Sequence, residues 1–172
     1  MSESFMFDEP RLFTVGFMGE PGHRVFFLQA HGDGTTVSVK CEKQQAGGLA
    51  DFLSTIMADL PPADMNEPPP LTEALVPMEM EWVAGTMTVG YDELSDRVFL
   101  VIEEVTLAAD EEDGGERPLS LEEPASLRLR LTRGQVAAYI EHARSLVAAG
   151  RPPCRLCGQP IDTEGHVCPR LN

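Results

Sequence analysis

The chain has 172 residues and a net charge of −15, with 28 Asp and Glu against 13 Lys and Arg. That length holds one sizeable core and a small appendage rather than two full domains. The charge works against nonspecific nucleic-acid binding, in which Lys and Arg must displace counterions from phosphates. No apolar run approaches the ~20 residues of a membrane-spanning helix, the longest being strand-sized stretches such as Val25 to Leu28 and Val98 to Ile102.

In chain order, Thr14-Val15-Gly16-Phe17 and Arg24 to Leu28 read as two strands, followed by a third in which Val37, Val39 and Cys41 alternate with Ser38 and Lys40. This period of two marks a half-buried strand and places Cys41 in the core, where a free thiol packs as a small apolar group. A helix follows, with Leu49, Phe52, Leu53, Ile56, Met57 and Leu60 forming one apolar stripe. At its start, Glu42-Lys43-Gln44-Gln45 is either a helix cap or a ligand-binding surface, and capping by Gln45 is the simpler reading. Pro61 to Pro77, with Pro68-Pro69-Pro70, is too rich in proline for a helix or central strand and is expected to be a crossing linker.

The same order then recurs. Thr88-Val89-Gly90-Tyr91 repeats Thr14 to Phe17 at a separation of 74, and Arg97 to Val101 repeats Arg24 to Leu28 at 73. At a separation of 90, Val37, Val39, Cys41, Gln45, Ala46, Leu49, Ile56 and Met57 fall on Leu127, Leu129, Leu131, Gln135, Val136, Tyr139, Leu146 and Val147. The pattern implies a duplicated βββα unit whose second copy carries a 17-residue acidic insertion at 108–124. Thr132-x-x-Gln135 is a capping box for the second helix, whose Val136, Ile140, Ala143 and Val147 share a face and which ends at Gly150.

After Pro152-Pro153, the chain offers Cys154-x-x-Cys157-Gly158 and then His166-Val167-Cys168. A Cys-x-x-Cys turn presents two sulfurs from one tight loop, and a second short pair completes a tetrahedron. Cys154, Cys157, His166 and Cys168 are therefore expected to hold Zn2+, and four protein ligands make the site structural. Three other readings compete with this one: unliganded thiols, a disulfide framework and a redox Cys-x-x-Cys. The second is disfavoured because no signal-peptide pattern opens the chain, which implies a reducing cytoplasm. The third normally sits at the start of a helix after a strand rather than in a Pro-flanked tail.

Thr14-Val15-Gly16, Pro21-Gly22-His23-Arg24, Phe27-Leu28-Gln29-Ala30, Glu42-Lys43-Gln44-Gln45, Gly85-Thr86-Met87, Ala149 to Cys154 and Gly165 to Arg170 together resemble an actinobacterial family of conserved hypothetical proteins, domain of unknown function three-thousand-ninety. The resemblance spans nearly the whole chain. It implies a bacterial cytoplasmic protein with no established activity. An aliphatic residue is usual in the family where this chain has Cys41, which accords with a core role for that thiol.

Motifs for phosphate loops, nucleophile elbows and metal-protease helices are absent from the sequence. The best acid–base set is His23, His31, Asp33 and Glu103-Glu104, although turn chemistry already explains His23 and Asp33. Seven of the 13 cationic residues fall in 125–172, leaving that third at +4 and the rest at −19. The expectation is an α+β protein with six mainly antiparallel strands and two helices. Residues 1–60 form the first unit, 61–80 the linker and 81–150 the second unit, with 1–150 one domain and 151–172 the zinc knuckle. Its expected role is a noncatalytic cytoplasmic adaptor for a protein partner, with nucleic acid only within a larger assembly and no membrane. The alternative is a small-molecule-binding or hydrolytic enzyme with a site between the units. Convergence of His23, His31, Asp33 and Glu104 would mark the enzyme, and arginines 128, 130, 133 and 155 on one face would mark the adaptor.

Overall fold

A computed structural model describes residues 2–20, 22–61, 70–106, 123–149, 154–158, 161 and 167–170. Seven strands and two helices are present among them: β1 Phe5–Phe7, β2 Leu12–Met18, β3 Val25–Gly32, β4 Thr35–Cys41, α1 Lys43–Ala58, β5 Ala84–Asp92, β6 Arg97–Glu104, β7 Ser126–Leu131 and α2 Arg133–Ala148. The three-stranded sheet runs β2-β3-β4 and the four-stranded sheet β1-β7-β6-β5. Every neighbouring pair is antiparallel except β1–β7, which is parallel; β2–β3, β3–β4 and β5–β6 are joined by short hairpin connections and β6–β7 by the longer stretch 105–125. The strand beyond the expected six is β1, whose Phe5-Met6-Phe7 gains its partner only from Leu127 to Leu129, far along the chain.

Alternation places Val37, Val39 and Cys41 of β4 and Leu127, Leu129 and Leu131 of β7 in one buried cluster with Phe26, Leu28 and Ala30 of β3 and Val98, Leu100 and Ile102 of β6. Residues at like positions of the two hairpins, Phe27 of β3 and Phe99 of β6, are 72 residues apart, against the 73 read from the sequence. Gly16 lies opposite Phe27 and Gly90 opposite Phe99, and a slip of one residue would turn every side chain to the wrong face. The helices complete the core by packing on each other. Tyr139 stacks on Phe13 with ring centroids 4.9 Å apart and donates its hydroxyl to Ala46 O (3.1 Å). On α1 the buried stripe is Ala46, Leu49, Ala50 and Leu53, whereas Phe52, expected inside, is exposed. At 3.6 residues per turn Phe52 lies about 110° round the helix from the centre of that stripe, so it points away from the core.

Both glutamines expected as caps do cap, and each also reaches across to the other half of the chain. Gln45 Oε1 accepts the Glu42 N–H (2.8 Å), while its Nε2 donates to Ala84 O (3.0 Å) at the start of β5. Gln135 Oε1 accepts the Thr132 N–H (2.9 Å), and its Nε2 donates to Pro10 O (2.6 Å) just before β2. Pro10 and Ala84 are themselves 74 residues apart, the separation of the repeated Thr-Val-Gly segments.

The linker crosses the outer face of the three-stranded sheet from one edge to the other. Leu71 bridges to Leu12 at the β2 edge, and Thr14 Oγ1 donates to Thr72 O (2.5 Å). Gln29, fully buried, clamps Leu75: its Oε1 accepts Leu75 N–H (2.8 Å) and its Nε2 donates to Leu75 O (2.9 Å) and Ser38 Oγ (2.9 Å). At the far edge Glu81 N donates to Ser38 O (2.9 Å) and Lys40 N to Trp82 O (2.9 Å). Residues 81–83 thereby tie the two sheets together, since Val105 N donates to Val83 O (2.8 Å).

Two glycines should respond oppositely to alanine. Gly48, inside α1, has open space where a Cβ would stand, so Gly48→Ala is expected to stabilise by about 0.5–1 kcal/mol by restricting the unfolded chain. At Gly16 a Cβ would lie 2.6 Å from the Phe27 ring and 2.7 Å from Ala74 Cβ, so Gly16→Ala should destabilise by roughly 1–3 kcal/mol. Paired thermal melts read both signs.

Candidate metal centre

In the tail the peptide turns back at Gly158, whose φ of 75° is the left-handed conformation that glycine adopts without penalty. Its N–H donates to Cys154 O (2.8 Å), closing the Cys-x-x-Cys loop. Backbone N–H groups of Cys157, then Leu156, point at the Cys154 sulfur and hold its thiol below the usual range. The N–H of Arg170 reaches the Cys168 sulfur in the same manner, although burial and the neighbouring thiols Cys157 and Cys154 outweigh it and leave Cys168 raised. Arg170 also donates from Nη1 to Leu156 O (3.2 Å), fastening the second half of the tail to the first.

Cys154, Cys157 and Cys168 thus converge, their sulfurs all within 4.8 Å of one another, with no disulfide among them. The Cys154–Cys168 sulfur separation is 3.9 Å. Thiolates about 2.3 Å from a tetrahedral zinc stand about 3.8 Å apart, so the donors fit that ion in chemistry and in spacing. The fourth expected ligand, His166, lies outside the described residues. Cys41 takes no part in this centre: it is buried in the core, and burial, then the Glu42 charge, pushes its thiol up to about 12. With the metal chelated, iodoacetamide at pH 8 should therefore modify three thiols in the folded chain and spare Cys41. Peptide mass mapping reads the number and the sites.

The structure scatters the acid–base set. His31 lies near the end of β3 and His23 two residues before its start, so the extended strand between them, roughly 20 Å from Val25 to His31, holds them apart. His31 Nδ1 lies 2.8 Å from Thr36 Oγ1, and Asp33 occupies the adjoining turn with φ 50°. Glu104, on the other sheet, accepts a hydrogen bond from Ser2 Oγ (2.7 Å), and its neighbour Glu103 lies opposite Ser126. The four arginines do not gather on one exposed face either, because Arg133 is buried. Arg128 and Arg130 project together from β7, and Arg155 is exposed in the tail. Arg133 is buried at the start of α2, donating from Nε to Asp96 Oδ1 (2.8 Å) and from Nη1 to Pro61 O.

Around Arg133 is a polar cluster that sequence reasoning missed. Tyr91 donates to Asp96 Oδ1 (2.6 Å), and this bond, then that from Arg133, holds the Asp96 carboxyl below its usual value. Arg130 reaches Ser95 Oγ (3.0 Å) and Asp92 Oδ2 (3.4 Å). The β5–β6 turn residues Asp92 and Asp96, beside arginines at the end of β7, were the available signal. With all its members mutually bonded, the cluster fixes a turn. His142, also unremarked in the sequence, donates from Nε2 to Val15 O (3.1 Å) and joins α2 to β2.

A family model described as Protein of unknown function (DUF3090) matches residues 5–168. The chain belongs to this family. The match runs through both sheets and both helices and into the cysteine cluster, so in this DUF3090 chain the tail sulfurs fall within the family's span. No curated protein and no solved structure matches the chain. No described helix is long and apolar enough to cross a membrane.

Proposed function

We propose that this chain is a noncatalytic, zinc-containing adaptor of the cytoplasm that links protein partners. In this reading residues 1–150 are one domain of two duplicated βββα units, the second carrying the acidic stretch 108–124, and residues 151–172 are a knuckle closed on Zn2+ by Cys154, Cys157, His166 and Cys168. The convergence of three sulfurs is the observation that carries it. A closed set of four protein ligands leaves the metal no open position for chemistry, and the acid–base candidates stand apart rather than in one pocket. The reciprocal bonds of Gln45 to Ala84 and Gln135 to Pro10 support the duplication, because each unit's helix cap holds the first strand of the other.

Affinity capture tests the assignment, with the zinc-loaded chain as bait against a chain carrying Cys154→Ser and Cys157→Ser. The expected result is a protein retained by the intact chain and lost with the zinc. Hydrolytic turnover by the purified chain that survives both substitutions would contradict it.

A further inference from the structure

The outer faces of the two sheets carry corresponding residues but differ in cover. On the first, Thr14 hydrogen-bonds the linker, Ala74 lies over Gly16, and Phe27, whose ring covers Gly16, is 2% exposed. On the second, strand pairing puts Thr88, Gly90 and Phe99 at the same places, and Phe99 again lays its ring on the glycine opposite. Here Phe99 is 40% exposed, Thr88 is exposed, and Met6 of β1 extends the apolar area at 67% exposure. Where the first face has Ser38 and Lys40, the second has Arg128 and Arg130. Both are exposed, and Arg128 makes no hydrogen bond or ion pair among the described residues.

We propose that this second face is a docking surface for an extended acidic and aliphatic segment of a partner protein, laid across β5, β6 and β7 as residues 71–75 lie across β2 and β3. The covered face defines the occupant's shape: a backbone carbonyl for the threonine, a small side chain over the glycine and ring, and an aliphatic residue beyond. Its own occupant, Leu71-Thr72-Glu73-Ala74-Leu75, has this composition. The arginines define the charge. Val101 stands where Gln29 clamps the linker, so on the second face the polar anchor passes to Arg128, its neighbour on β7. A guanidinium there binds a carboxylate in fork geometry.

The probe is a fluorescent peptide copying Glu67 to Pro77, added in trans to the full chain and followed by anisotropy. The first face is already filled by the covalently attached copy, so the added peptide reports on the second. We expect saturable binding, weakened at least about tenfold by Arg128→Glu with Arg130→Glu and weakened by Phe99→Ala. Arg144→Glu, at an exposed arginine paired with Asp51 on the helices, should leave it unchanged. No saturable binding at millimolar peptide would overturn the proposal, as would equal losses from the β7 and Arg144 variants, which would reveal general charge attraction. Self-association of the chain abolished by Arg128→Glu would give the face to a second copy and overturn the peptide assignment.

Discussion

Replacing Cys157 with Ser should abolish stoichiometric metal retention by the tail while leaving the sheets and helices folded. A serine hydroxyl is a poor ligand at neutral pH, and its loss removes one of three sulfurs that stand within 4.8 Å of one another. Structural zinc sites bind with roughly 10–16 kcal/mol, energy that orders the segment holding them. The tail, whose buried apolar residue among those described is Cys168, should lose its fixed conformation with the ion. The body has its own core, of which Cys168, buried in the tail, is not a part. Circular dichroism should therefore retain the α1 and α2 signal, and limited proteolysis should cut the variant between residues 150 and 172. Loss of helical signal together with the metal would mean that the tail is part of the body's folding unit.

Gln29→Ala should be the most damaging polar substitution in the body, at about 2–4 kcal/mol. The amide satisfies both backbone groups of Leu75 and the Ser38 hydroxyl at a fully buried position, and its removal strands all three. Because Leu75 is the point at which the linker is held to β3, the variant should also be cut faster within residues 70–80. Gln29→Met separates packing from polarity by filling the space without supplying the bonds. If it matches the wild type in a denaturant titration, the stranded groups are not the cause and the clamp does not hold the linker.

The contrast between Gln29 and Gln45 indicates what was legible in the sequence. Capping by Gln45 and Gln135 is a local event spanning three residues, so the pattern Thr132-x-x-Gln135 announced it. The second bond of each glutamine, to Ala84 or Pro10, depends on the tertiary fold and left no local trace. Alternation found the inward faces of β4 and β7 because burial on one side imposes a period of two. It read Ser38 as outward and did not anticipate that the linker buries that face together with Gln29. β1 escaped for a similar reason, since three residues define no period and their partner strand is more than a hundred residues away. At the metal centre, spacing named the cysteines, whereas the backbone N–H groups that lower the Cys154 thiol follow from the turn at Gly158 and are invisible to residue type. The acid–base set failed because residues close in sequence, His23 and His31, are held apart by the extended strand between them.

The most direct test of the account is elemental analysis with native mass spectrometry on the intact chain purified without added metal. One zinc per chain, with all four cysteines reduced and the ion lost on acidification as the thiolates protonate, is the predicted result. A metal-free chain whose Cys154 and Cys157 have joined in a disulfide would contradict it and make the tail a redox element instead.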